Sequence, residues 1–436
     1  MLTAFVRAFR TPDLRYKLLF TIAIMTIFRL GSLVPTPGVS YPAVQACLKN
    51  ADTNSGIVGL ANLFSGGALL QLSIFALGIM PYITASIIVQ LLTVVIPRFE
   101  TLKKEGQAGT VKLTQYTRYL TIGLAVLQSA TYVTLARNPS RLFGSRCTSV
   151  LVDQNLTTIL IMVLTMTAGT GLIMWLGELI TDRGIGNGMS LLIFTSIAAR
   201  FPTSLWAIHD QPGGWTKFAI VLLLGAVVIA LVVFVEQSQR RVPVQYAKRM
   251  IGRRMYGGTS TYIPLKVNMA GVIPVIFASS LLSLPALLAQ FNSNNTHPAA
   301  WVTFVERYLV RGNHPLYMAL YFALILFFTF FYVSITFNPT EVADNMKKYG
   351  GFIPGIRAGR PTAEYLSYVL NRITVPGAIY LGLISLLPLI ALVMVGADQN
   401  FPFGGTSILI IVGVGLETVK QIESQLQQRH YEGFLR

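Results

Sequence analysis

The chain has 436 residues, 53% of them hydrophobic and only 12% charged, with a mean hydropathy of +0.60. About a quarter of the residues in a soluble domain are charged, so this composition excludes an ordinary soluble globular protein. Lys and Arg number 34 against 17 Asp and Glu, and the net charge of +17 calls for an anionic neighbour such as lipid headgroups, an acidic protein face or RNA phosphate.

The N-terminal tail, residues 1–17, carries Arg7, Arg10, Arg15 and Lys17 and precedes an apolar run. The run is too long for the core of a signal peptide, contains Arg29 and ends in GSLVPTPG without a small-residue cleavage site, so it reads as a retained first span. Apolar segments lie at about 18–36, 71–96, 117–136, 155–180, 189–203, 217–236, 267–290, 315–337, 373–395 and 404–424. A spanning helix needs about 20 apolar residues. The pattern therefore predicts an all-α membrane protein with ten transmembrane helices, the fifth of them short and opening in GIGNG.

From Ile57 to Ile96, a stretch that takes in the whole second segment, the chain carries no charge. That is too long for one span and too poor in turn residues for two. ANLFSGGALL, residues 61–70, is the surplus, with Gly66 and Gly67 breaking it in the middle.

Basic residues concentrate in the N-terminal tail, in 97–118, 237–266 and 338–372 and after Lys420, and are sparse in the alternate loops. By the positive-inside rule the basic set, with both termini and the C-terminal tail 425–436, faces the cytoplasm. The 137–153 loop, with Arg137, Arg141 and Arg146, runs against this trend. Ten spans divide into 18–203 and 204–424. An odd number of spans in each half inverts one half relative to the other, the arrangement of inverted repeats around a pathway.

The chemistry is sparse. His209, His297, His314 and His430 lie far apart in loops or the tail, so no metal site is expected. GIGNG follows no strand and reads as a turn between spans rather than a phosphate cradle. Glu178, Glu236, Glu417 and Lys420 all fall at span ends, where interfacial pairing is expected; Arg29 lies deeper. A clean midplane argues against the alternative function, an ion-coupled secondary transporter.

Ile79, Ile83 and Ile87 share one helix face. Spacing alone fits a packing or lipid-facing stripe, and Pro81 is expected to kink or break this helix. The segment from Arg240 to Lys266 has seven basic residues, three tyrosines and no acid, with Arg253 and Arg254 beside a glycine. The loop at 338–372 has a turn-rich tip, GFIPGIRAGRP, bearing Arg357 and Arg360. Cys47 and Cys147 fall in loops on the outer side, where either a disulfide or two free thiols is permitted.

NLFSGGAL, SIFALGIMPYITASIIVQLL, QYTRYL, MWLGELITDRGIGNGMSL, YIPLKVNMAGVIPVIFASS, FNPTEVADNMKKYGGFIPGIR and FGGTSILI occur in this order. Through them the chain resembles the SecY family, channel subunits of the bacterial Sec translocon, over essentially its whole length. The resemblance implies a passive protein-conducting channel in the plasma (inner) membrane, shaped as an hourglass between two five-helix halves. It implies no enzyme activity and no cofactor. The waist would be a ring of Ile79, Ile83, Met189, Ile193, Ile276 and Ile410, with Met189 where isoleucine is usual.

A plug at about 57–70 would include Asn62, Phe64, Ser65, Gly66 and Gly67, the glycines forming its hinge. A lateral gate between the second and seventh spans would use Ile87, Gln90, Gln128 and Asn268, whose polar groups would bond one another when it is shut. Arg253, Arg254 and Arg357 would dock the SecA motor ATPase or a ribosome. SecE and SecG would be membrane partners, signal peptides and unfolded preproteins the cargo, and anionic lipids the surroundings. The 137–153 loop, the Asn-rich loop at 291–296 and residues 41–56 match no family pattern.

Overall fold

A computed structural model describes residues 9–49, 65–137, 139, 150–209, 214–246, 249–251, 254–256, 260–292, 300–310, 314–395 and 405–432. Each of the ten apolar segments carries a helix: α1 (Pro12–Gly31), α3 (Met80–Val95), α5 (Gln107–Arg137), α6 (Leu156–Arg183), α7 (Gly188–His209), α8 (Gly214–Gln237), α9 (Ile273–Asn292), α11 (Pro315–Thr336), α13 (Arg360–Val395) and α14 (Gly405–Glu432). Shorter helices are α2 (Tyr41–Lys49), α4 (Pro97–Lys104), α10 (Ala300–Val305) and α12 (Pro339–Lys348). Among the described residues four helices are long and apolar enough to cross a membrane, or five if α3 and α4, bent by 100°, count as one.

The second helix corrects the expected limits. It starts at Met80 rather than near residue 71, because the preceding backbone cannot be helical: Gly66, Gly67 and Gly78 have positive φ, as does Leu72 at 49°. Pro81 does not kink this helix but opens it, in the first turn where a missing N–H costs nothing. The sharp bend falls instead at Ile96, before Pro97, whose ring cannot continue the helix.

The expectation of an all-α chain also needs correction, in the 237–266 loop. Strand β1 (Gln239–Tyr246) pairs antiparallel with β4 (Ser260–Lys266), from Gln239 opposite Lys266 to Gln245 opposite Ser260. Residues Arg249–Ile251 (β2) and Arg254–Tyr256 (β3) pair at the tip, and Gly351–Phe352 (β5) adds to β1. Val242 and Val244 alternate inward, packing with Leu265, Met346, Ile353 and Leu366 against α12 and α13, while Arg241 points outward over the Tyr262 ring at 4.8 Å. The strong basic charge masked this period-two pattern.

Helix packing follows a repeated order. In the first half α3 meets α5, α5 meets α6, α6 meets α7, and α1 meets α7; in the second α9 meets α11, α11 meets α13, α13 meets α14, and α8 meets α14. Between the halves, α7 contacts α8 and α14 on one side, and α3 contacts α9 on the other. The chain passes from one half to the other between α7 and α8, so the first side is covalently closed and the α3–α9 side is held only by non-covalent contacts.

Candidate functional site

The largest buried cluster sits where the two halves meet. It contains Ile79, Ile83, Ile193, Ile276 and Ile410, with Met189 packed against it, so all six expected waist residues join one apolar core. Local structure sets each in place. Ile79 caps α3 and its carbonyl accepts from the Ile83 N–H at 3.1 Å, one turn apart on one face. Ile276 lies in the first turn of α9 and Ile410 in the second turn of α14.

GIGNG is a capped turn. Gly186 has φ of 90°, the Asn187 side chain accepts from the Met189 N–H at 3.1 Å, and the Gly188 N–H donates to the Thr181 hydroxyl at 2.9 Å. This starts α7 so that Met189 and Ile193 follow one turn apart. The Met189 sulfur lies over Gly177, where a Cβ would come within 2.5 Å of it. The longer, flexible side chain thus fills space left by a glycine on α6.

Beside this cluster opens a cavity of about 470 Å³, lined by both halves. Ile83, Met189, Ile193 and Ile276 form its apolar wall; Gln90, Glu178, Asp182 and Asn187 give it polar walls. Arg118 holds Glu178 there through two hydrogen bonds, Nε to Oε1 at 2.9 Å and Nη2 to Oε2 at 2.8 Å, and donates to Gln115 at 3.1 Å. Glu178 was expected to pair at an interface. Its partner lies sixty positions upstream, on another helix, which no local pattern reveals. Apolar side chains of both halves thus meet beside a cavity with polar walls.

The polar gate residues differ from expectation. Ile87 is buried in the main cluster on α3. Gln90 donates to Ser86 in its own helix at 3.4 Å. Asn268 lies ahead of α9 rather than within it, and its amide donates to Glu236 at 2.5 Å and to the Gly271 carbonyl at 3.1 Å. Among the described residues Gln90, Gln128 and Asn268 do not bond one another. The physical reason is competition: a carboxylate is a stronger acceptor than a glutamine amide, and Glu236 at the end of α8 lies closer. The halves are bridged on this side by Lys103 of α4, whose ammonium donates to the Ile335 carbonyl near the end of α11 at 3.3 Å.

Ahead of α3, residues 65–79 form an irregular buried segment. Pro35 and Ser73 bridge, Val34 accepts from the Ile74 N–H at 3.0 Å, and the Leu72 carbonyl accepts both the N–H and the hydroxyl of Thr36, at 3.0 and 2.6 Å. The side chain of Ser65 accepts from the Leu69 N–H at 3.1 Å. Asn62, Phe64 and the rest of 57–64 lie outside the described residues.

Arg357 is exposed, with its carbonyl accepting from Thr362 at 2.8 Å. Arg254 starts β3, while Arg253 lies outside the described residues. Cys47, on α2, is disulfide-bonded. Cys147, the only other cysteine of the chain, lies outside the described residues, as does most of the 137–153 and 291–296 loops. Among the described residues no His, Cys, Asp or Glu side chains group as a metal site would require.

A family model described as SecY matches residues 73–419. The protein translocase subunit SecY of Streptomyces galbus is 70% identical over 442 residues, covering 100% of both chains. Among solved structures, one titled for a SecY plug domain that stabilises the closed translocation channel and maintains a membrane seal has a TM-score of 0.60 at 18% identity, covering 94% of this chain and 91% of that one. The yeast Ssh1 complex bound to the 80S ribosome has a TM-score of 0.64 at 16% identity, covering 91% and 87%. At such identities the structures establish the fold, and the close relative and the family model establish the rest: this chain belongs to the SecY family and is a channel subunit of the membrane protein translocase.

Proposed function

We propose that the chain spans a bacterial plasma membrane ten times, with both termini cytoplasmic, as two inverted five-helix halves around an hourglass pore. The observation that supports this reading is the gathering of six apolar side chains from both halves in one buried cluster beside a cavity with polar walls. The repeated packing order of the halves supports the inversion. The non-covalent α3–α9 side is the lateral gate. A signal peptide enters there by partitioning its apolar helix toward lipid, and the preprotein passes through the waist or leaves sideways. Residues 57–70 form the plug, seated on the outer side of the ring.

The chain has no nucleotide-binding motif, so an external motor supplies the energy. SecA or a ribosome docks on the basic loops 237–266 and 338–372, through Arg253, Arg254 and Arg357. SecE and SecG complete the complex in a membrane containing anionic lipid. Cys47 pairs with Cys147 on the outer face. Reconstitution of the chain with SecE and SecA in vesicles tests the reading: a signal-bearing preprotein enters in an ATP-dependent manner, and Arg357→Glu cuts that entry while leaving the membrane core folded. Absence of entry with the intact chain would refute the channel assignment, and unchanged entry with the variant would refute the docking role of Arg357.

A further inference from the structure

Five of the six residues in the proposed waist are isoleucine, whose side chain is inert to peroxide. The sixth, Met189, carries a thioether that can take up oxygen. Its place in the fold decides whether an oxidant reaches it. Met189 lies in the first turn of α7, half-buried, and is the one sulfur-bearing side chain among the described residues that line the cavity of about 470 Å³. Thr181, Asp182 and Asn187 line the same cavity and are exposed, so solutes in water enter past them. Met162 and Met166 of α6, by contrast, are fully buried.

The sulfur has a defined seat. Helices α6 and α7 meet backbone to backbone at Gly177 and Gly188, where a Cβ on Gly188 would collide with the Gly177 carbonyl. A Cβ on Gly177 would lie 2.5 Å from Met189 Sδ and 3.0 Å from its Cε. The floor beneath the sulfur is therefore closed, and an added oxygen finds room on the cavity side. The backbone takes no part in this chemistry, since the Met189 N–H is already held by the Asn187 side chain at 3.1 Å. Ile83, Ile193 and Ile276 share the cavity wall and have no hydrogen to donate, so an oxygen placed among them is hydrated by water held at the cluster.

We propose that Met189 is a site of oxidation by peroxide, and that its sulfoxide wets the waist and raises the idle ion leak. The proposal rests on the reading of the six residues as the waist of a channel. In the reaction a lone pair of Sδ attacks one oxygen of hydrogen peroxide, and the S–O bond forms as the O–O bond breaks. The transferred hydroxyl passes its proton to the departing hydroxide, which leaves as water. The thioether loses two electrons and the peroxide gains them. A flexible apolar side chain becomes a polar one with no change elsewhere in the ring.

The test uses the full chain, reconstituted with SecE in potassium-loaded vesicles, beside Met189→Ile and Ile83→Asn. Each is treated with hydrogen peroxide at a dose that oxidises a free methionine peptide. Idle leak is recorded, and the chain is then digested for mass spectrometry. In the intact chain Met189 gains one oxygen while Met162 and Met166 do not, and leak rises about tenfold, the factor set by about 1.4 kcal/mol of barrier. Met189→Ile keeps its untreated leak under the same dose, which separates the effect from damage to lipid or to other methionines. Absence of oxygen on Met189 overturns the site. Oxidised Met189 without a rise in leak, or an equal rise in Met189→Ile, overturns its effect on the seal. If Ile83→Asn leaks in the same vesicles, the waist reading survives those results; if Ile83→Asn does not leak, the waist reading fails and the proposal fails with it.

Discussion

Arg118 of α5 and Glu178 of α6 face each other as a bidentate pair, with N–O distances of 2.9 and 2.8 Å, in the wall of the cavity beside the apolar cluster. The Arg118 side chain is 42% exposed and that of Glu178 21%, so solvent screens the pair and its net contribution is about 1 kcal/mol. A double-mutant cycle with Arg118→Ala and Glu178→Ala, read as thermal stability in detergent, should give a coupling of that size. It should shrink when salt is raised. A coupling of zero at low salt would mean that the two helices are fixed by packing alone.

The waist makes a sharper prediction. In the channel proposed above, Ile83→Asn or Ile276→Asn places an amide at the waist and lets water persist there. Idle ion conductance in planar bilayers should rise by about tenfold or more, since tenfold needs only about 1.4 kcal/mol of barrier. Ile379→Asn, a substitution on the exposed face of α13, serves as the control and should leave conductance unchanged.

Gln90 and Asn268 bond different partners, so they should act independently on the gate. In a cycle of Gln90→Ala and Asn268→Ala, measured by the rate of signal-dependent preprotein entry, the coupling should fall within about 0.5 kcal/mol of zero. Asn268→Ala by itself should lower stability by about 1–3 kcal/mol, because it leaves the Glu236 carboxylate without its amide donor. A large coupling would restore the direct bond between the two gate residues that the sequence led us to expect.

The cysteines can be tested directly. Intact vesicles treated with a thiol-alkylating reagent should show no labelling of Cys47 or Cys147 until a reductant is added. Both should then label together, since one bond releases both thiols. Full labelling of either without reductant excludes their pairing.

The membrane class and the ten apolar segments were legible in the amino-acid sequence, and the six residues named from it for a waist gather in one buried cluster. Hydropathy and charge are sums over neighbours in the chain, and the waist motifs are long and unbroken. Three features were decided only in the folded molecule. The start of α3 at Met80 depends on positive-φ backbone at Gly66, Gly67, Leu72 and Gly78, and Leu72, the one non-glycine among them, is held there by hydrogen bonds from Thr36. Strand pairing in the 237–266 loop depends on α12 and α13 covering Val242 and Val244. The partners of the charged and amide groups come from distant helices: Arg118 for Glu178, Glu236 for Asn268, and the Gly66 carbonyl for Arg29. A side chain's type shows that it needs a partner in a dry setting, but which acceptor it finds is set by the packing of helices remote in sequence.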